Sequence, residues 1–233
     1  MRTIVWTKSI RIFHWFLAIG FTAAYILGDF DSFGNLHYAF GLFVGALLLF
    51  RHFYGLFGPK YANFKDFPIH IKNQIKFVQN YFNKDKAYIG HNPAASIVMI
   101  LIFIVGLFCS ISGYLLYSKE SAGLFVVSFN NGLLEETHEI LANLFLFLVV
   151  IHIVGIIADL IFHNKLKTIN SIFTGFKNIE GENSKPNNFH KLYTIFWLII
   201  PFFMFYYGYK LDGQNKSSDD NKIEHHEDEN ENE

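Results

Sequence analysis

The stretch HEILANLFLFLVVIHIVG, His138 to Gly155, decides how this sequence folds. Between its two histidines only Glu139 and Asn143 are polar, and the apolar run continues to Phe162. A membrane span needs about 17 to 25 mostly apolar residues, so the run is long enough to cross a bilayer as one helix. Fourteen residues of α-helix advance about 21 Å and turn about 1400°, which leaves the two imidazoles about 40° apart, facing the same way at two depths. An ionisable group held in the membrane costs free energy unless it has a partner, and so marks a functional site. The rest of the sequence must therefore supply a partner at each level.

The composition agrees with lipid as the solvent. Of 233 residues, 52% are hydrophobic, 18% aromatic and only 17% charged, with 28 phenylalanines. Five runs reach or approach membrane length: Ile12 to Leu27, Tyr38 to Phe57, Ala94 to Tyr117, Ile140 to Phe162 and Leu192 to Tyr209. The expected fold is all-α and integral to the membrane. It consists of five transmembrane helices, the last an additional C-terminal one, and an interfacial helix. The first run is not read as a cleavable signal peptide, because His14 and Trp15 open it and YILGDFDSFG lacks a small-residue cleavage site. The single cysteine, Cys109, excludes an intrachain disulfide, a C-x-x-C-H haem attachment and a locally ligated iron–sulfur cluster. Nothing in the charge pattern points to nucleic acid, and the oligomeric state is left open.

Fifteen of the nineteen Lys and Arg residues fall in the N-terminal segment, the second connection and the fourth connection. By the positive-inside tendency these segments are cytoplasmic and the C-terminal tail is outside. That tail, residues 210–233, is acidic and almost devoid of apolar side chains, which reads as disorder. Residues 176–191 read as a cytoplasmic linker. In KDFPIHIKNQIKFVQNYF the apolar residues Ile69, Ile71, Ile75, Phe77, Val78 and Phe82 fall mostly on one helical face opposite lysines, as in a helix lying at the interface. Asn92 caps the third span and Pro93 takes its first helical position.

The partners for His138 and His152 lie on the first two spans. His37 opens span two on the outer side and His14 lies near the cytoplasmic start of span one. At the outer level His37 meets His138; at the inner level His14 meets His152. Two neutral imidazoles on opposed helices suit the axial ligation of a haem iron, and each pair could hold one haem b without a covalent link. His52 is a rival for the inner level, since it lies fifteen residues after His37 on the same helix, and helical geometry admits both. A zinc site would need ligands converging on one ion, unlike pairs separated by two levels. Lys8, Arg11 and Arg51 are placed to pair with haem propionates at the inner level. Gly20, Gly41, Gly45, Gly106, Gly113 and Gly155 suit close approach of either a helix or a porphyrin face.

Several motifs together resemble the nickel–iron hydrogenase b-type cytochrome and bacterial cytochrome b-561 family. They are RIFHW in span one, LHYAFG opening span two, RHFYGLFGPKYANFKDF closing it, GHNP before span three, and E-x-x-H-E-x-L-A-N with a second histidine fourteen residues on. The resemblance covers about Arg2 to Gly175 and implies a cytochrome b membrane domain over residues 1–175, in the bacterial cytoplasmic membrane, with the first four spans forming a transmembrane four-helix bundle. It implies two b-type haems ligated by His14, His37, His138 and His152, and it does not call for a histidine at His52. It further implies electron transfer between membrane quinone and a redox partner protein, such as a hydrogenase or a periplasmic cytochrome. His91 of GHNP is a candidate contact for a quinone headgroup or a haem propionate. The alternatives from other classes are a stand-alone quinone reductase oxidising a small reductant such as superoxide, and a transporter or anchor using its histidines for protons. The fifth span and the tail with His225 and His226 lie beyond the resemblance.

Overall fold

The computed structural model describes residues 2–81, 88–120, 131–163 and 167–230, with backbone alone at 31, 118–120, 131, 163 and from 211 onward. Phe82, Lys84, Lys86 and Lys165 lie outside the described residues, and Lys119, His225 and His226 are described by backbone alone. Among the described residues seven α-helices run in chain order: α1 Lys8–Leu27, α2 Gly34–Phe57, α3 Ile71–Gln79, α4 Pro93–Glu120, α5 Asn131–His163, α6 Thr168–Thr174 and α7 Asn188–Asn230. Five of them, α1, α2, α4, α5 and the apolar part of α7, are long and apolar enough to cross a membrane. Their outward faces expose Ile19, Phe53, Phe108, Phe147, Ile161 and Phe203. Such surface is stable only against lipid. The protein is an all-α integral membrane protein.

The fourth span starts earlier than its apolar run. Helix α5 begins at Asn131, well before Ile140, and Thr137 Oγ1 donates to the Leu133 carbonyl at 2.7 Å within the added turns. His138 therefore sits inside a helix rather than at its fraying end. The cap of α4 is as expected, with the Ala95 N–H donating to Asn92 Oδ1 at 2.8 Å ahead of a helix that starts at Pro93.

Helix α2 is central and packs against α1, α4 and α7, while α5 packs along α4. The core joins Phe13, Leu17 and Phe21 of α1 with Leu47 and Leu48 of α2, Phe103 of α4, Phe145 of α5 and Trp197 of α7. Between α1 and α5 the link is made by side chains, Phe21 lying 4.1 Å from Phe145 between ring centroids. Gly106 permits this layer: a Cβ there would stand 2.7 Å from both Leu48 and Phe145. Helix α7 joins the bundle itself, since Trp197 is fully buried and stacks on Phe13 at 5.4 Å and on Tyr54 at 6.2 Å. Its backbone continues helical to Asn230 through the acidic segment whose composition reads as disorder. Extension costs little once the apolar part has nucleated the helix.

Within the segment 176–191, residues 176–187 dock as a strap and α7 begins at Asn188. Strand β2, Phe176–Lys177, pairs antiparallel with β1, Thr3–Ile4. Beyond it the Ser184 N–H donates to the Ile4 carbonyl at 2.8 Å, and Tyr61 Oη donates to the Glu182 carbonyl at 2.8 Å. Lys60 pairs with Glu182, each holding the other in its charged form, with the Lys60 pKa raised and the Glu182 pKa lowered by their hydrogen bond. Gly175 turns the chain into the strap with φ +90°, and a Cβ there would meet the Trp6 carbonyl at 2.7 Å. Its own carbonyl accepts from the Val5 and Trp6 N–H groups. The short helix α3 forms where an interfacial helix is expected, exposing Ile71, Ile75 and Val78, and Gln74 ties it to the Pro93 carbonyl at the start of α4.

Candidate haem sites

Two cavities lie between α5 and its neighbours, one near each end of the bundle. The outer cavity, ≈ 360 Å³, is lined by His37 of α2 and His138 of α5, with Gly41, Gly113, Tyr38 and Tyr117. The inner cavity, ≈ 470 Å³, is lined by His14 of α1 and His152 of α5, with Arg51, His91, Gly155 and Lys177. Both volumes are in the range of cofactor sites. The depth pairing read from the sequence is thus met in space: ring centroids are 6.1 Å apart for His37 and His138 and 6.5 Å for His14 and His152. Two metal–nitrogen bonds of about 2.0–2.1 Å, plus about 1.1 Å from each nitrogen to its ring centre, set trans imidazole centroids about 6.3 Å apart. Both observed centroid separations are close to that figure.

The outer pair is oriented by backbone. His37 Nδ1–H donates to the Ala24 carbonyl at 2.7 Å, and His138 Nδ1–H to the Cys109 carbonyl at 3.1 Å. A carbonyl only accepts, so Nδ1 carries the proton in His37 and its Nε2 keeps its lone pair for a metal, while His138 Nδ1 lies 3.0 Å from Ser112 Oγ as well as beside the Cys109 carbonyl. Sequence spacing shows neither carbonyl. Gly28 and Gly113 crowd these rings, a Cβ falling 3.1 Å from His37 and 2.8 Å from His138.

Several observations test whether a haem fits. His14 Nδ1, an Arg51 Nη1 and Tyr38 Oη are buried without a hydrogen-bond partner, and all three residues line the cavities. Buried polar atoms of this kind call for a partner that the protein does not supply. Gly41, one turn beyond His37, and Gly155, three residues beyond His152, have nothing within 4 Å of a hypothetical Cβ, so each leaves room for a flat ligand. Among the described residues no group of three or more His, Cys, Asp or Glu could hold a bare metal ion. The residues fit a macrocycle-borne iron at both levels.

The remaining sequence candidates divide. Arg51 reaches the inner cavity, buried to 3% exposure, its guanidinium 5.0 Å from the ring centroids of both Phe64 and Phe103. Lys8 is exposed and does not line the cavity; six residues from His14, it sits about 120° around the helix. Arg11 is also off the cavity wall, because its guanidinium donates to the Phe173 carbonyl near the end of α6. His52 lines neither cavity, and its Nδ1 bonds the Leu48 carbonyl of its own helix at 2.7 Å. His91 does line the inner cavity, between Trp6 at 4.7 Å and Phe67 at 4.5 Å. Desolvation, followed by the charges of Lys177 and Arg51, pushes its pKa well down and keeps it neutral. Sequence reasoning missed Lys177, which is brought from beyond the fourth span by β2, and the outer tyrosines Tyr25, Tyr38, Tyr114 and Tyr117.

The family model of prokaryotic cytochrome b561 matches residues 5–175, which include all of α1 to α6 and every histidine on the two cavities. No curated protein and no solved structure matches the chain. With the family model spanning most of the chain, and with five membrane-length helices of which α1, α2, α4 and α5 line the two cavities, the protein belongs to the prokaryotic cytochrome b561 family, as a multi-pass bacterial membrane b-type cytochrome of electron transfer.

Proposed function

We propose that the chain is a dihaem cytochrome b that carries electrons between membrane quinone and a redox partner protein, a hydrogenase or a periplasmic cytochrome. His14 and His152 hold the inner haem, and His37 and His138 the outer one. The observation that carries this reading is the pair of histidine–histidine separations, 6.5 and 6.1 Å, at two levels of one helix. When bound, the haem supplies one-electron chemistry through the ferric and ferrous states of its iron. The chain's residues fix the ligands and the surroundings. The Ala24 carbonyl holds His37 in the tautomer that leaves Nε2 unprotonated, and the Cys109 carbonyl and Ser112 Oγ orient the His138 ring through Nδ1. The layer of Phe13, Phe21, Phe103 and Phe145 excludes water between the two levels. Arg51 offers a buried charge to haem carboxylates.

The excess of Lys and Arg in the N-terminal segment and in the second and fourth connections supports a cytoplasmic N-terminus and an external C-terminus. The inner haem then lies toward the cytoplasm, where α3 and the basic connections meet the headgroups. The test is a reduced-minus-oxidised spectrum with haem quantification on the purified chain. Two haems b per chain, extractable by acid acetone, are expected. One haem would remove one pair, and none would overturn the reading. Stopped-flow reduction by quinol in proteoliposomes then tests the quinone role, which fails if the haems stay oxidised.

A further inference from the structure

The inner cavity carries two buried cations that the histidine pairing does not use. Arg51 is held with its guanidinium over the rings of Phe64 and Phe103 and has an Nη1 that lacks a partner. Lys177 is 4% exposed, and its ammonium donates to the Gly90 carbonyl at 2.8 Å and the Tyr88 carbonyl at 3.3 Å. A lysine ammonium has three N–H donors, so two are spent on neutral oxygens and one remains. Burial pulls the Lys177 pKa down to about 8, which leaves it charged at neutral pH. Burying two like charges in one cavity is costly unless anions answer them. Asp159, also on the wall, supplies one carboxylate near Lys177. Among the described lining residues the two cations with that single acid leave one positive charge in excess. The outer cavity is built differently, with Tyr25, Tyr38, Tyr114 and Tyr117 and no Lys or Arg among its described lining residues.

We propose that Lys177 and Arg51 form a two-point anchor for the carboxylates of the haem in the inner cavity, and that the β1–β2 strap delivers Lys177 to it. This rests on the reading that a haem occupies that cavity. It gives the strap a role: pairing Phe176–Lys177 with Thr3–Ile4 places a buried ammonium on a wall built by α1, α2, α4, α5 and α6. It also separates the two haems electrostatically. A positive charge near an iron favours its reduced state, and a unit charge about 10 Å away at an effective dielectric of about 20 changes an equilibrium by about tenfold.

The test is a potentiometric titration of the full purified chain as wild type, Lys177→Gln and Lys177→Arg, with haem counted in each. The glutamine keeps donors for the Tyr88 and Gly90 carbonyls but loses the charge; the arginine keeps the charge. Lys177→Gln is expected to lower the reduced-to-oxidised ratio of the inner haem about tenfold at fixed ambient potential, a shift of about 59 mV for a one-electron couple. The outer haem should not move, and Lys177→Arg should restore the wild-type value. Loss of the inner haem in Lys177→Gln with retention in Lys177→Arg also supports the anchor. Two haems in every variant with an unmoved inner potential would overturn it, because a purely structural lysine predicts that result. A wild type without haem would instead overturn the haem reading, and the anchor with it.

Discussion

Gly41 separates a cofactor cavity from ordinary helix packing by the sign of one effect. It lies in α2 one turn beyond His37, lines the outer cavity and has no atom within 4 Å of a hypothetical Cβ. If the cavity served only packing, Gly41→Leu would stabilise the protein. Replacing glycine inside a helix gains about 0.8–1.0 kcal/mol in propensity, and burying a leucine side chain adds about 1.5–3 kcal/mol. With a haem between His37 and His138 the sign reverses. A leucine side chain at this position would project into the ≈ 360 Å³ that a flat ligand would otherwise occupy. Either the haem is expelled, or the helices shift at a cost of about 1–3 kcal/mol. The assay is pyridine haemochrome quantification per chain, with thermal unfolding of the same samples. Gly41→Leu is expected to fold, keep the inner haem and lose the outer one. Two haems per chain in this variant, with a raised midpoint of unfolding, would refute the reasoning. Gly106→Leu is the contrast, because there a Cβ meets Leu48 and Phe145 at 2.7 Å and the loss should extend to the fold and both haems.

Three further outcomes are expected. His14→Ala or His152→Ala should empty the inner site and His37→Ala or His138→Ala the outer one, while His52→Ala leaves both filled; spectra of the purified variants decide, and an inner site emptied by His52→Ala would reverse the assignment. His91 is held neutral by burial, its folded pKa lying below its ordinary value near 6.5, so the folded state binds fewer protons than the unfolded chain as pH falls below that value. Stability should therefore drop as pH falls from about 6.5 through the folded pKa, and His91→Phe should flatten this slope in unfolding measured across pH 4.5 to 7.5. A reporter fused after Glu233 should be active in the periplasm and one inserted near Lys76 in the cytoplasm; the opposite pattern would invert the two haem levels but leave the pairing of histidines intact.

The sequence by itself determined the spans and the depths. Length and apolarity mark a membrane helix without reference to any neighbour, because every backbone group in lipid must bond within its own helix. The fourteen-residue spacing on α5 fixes two levels on one face, because helical rise and rotation are local. For the same reason His37, His138 and His152 were legible by depth and Asn92–Pro93 as a helix start, while the choice of His14 rested on the family resemblance. What lies across from each imidazole is not local. Helical geometry left His14 and His52 both open, and it is the packing of α1 beside α5 that puts the His14 ring, not the His52 ring, 6.5 Å from His152. Lys8, Arg11 and Arg51 are alike in charge and approximate depth. Only the fold separates them, by turning Lys8 outward, giving Arg11 the Phe173 carbonyl and burying Arg51 at the cavity. Lys177 carries no sequence signal at all, since its place depends on a two-residue strand pairing with the opposite end of the domain. Contacts made across so large a sequence separation follow from how the helices close around a cavity, and that closure is a property of the tertiary structure alone.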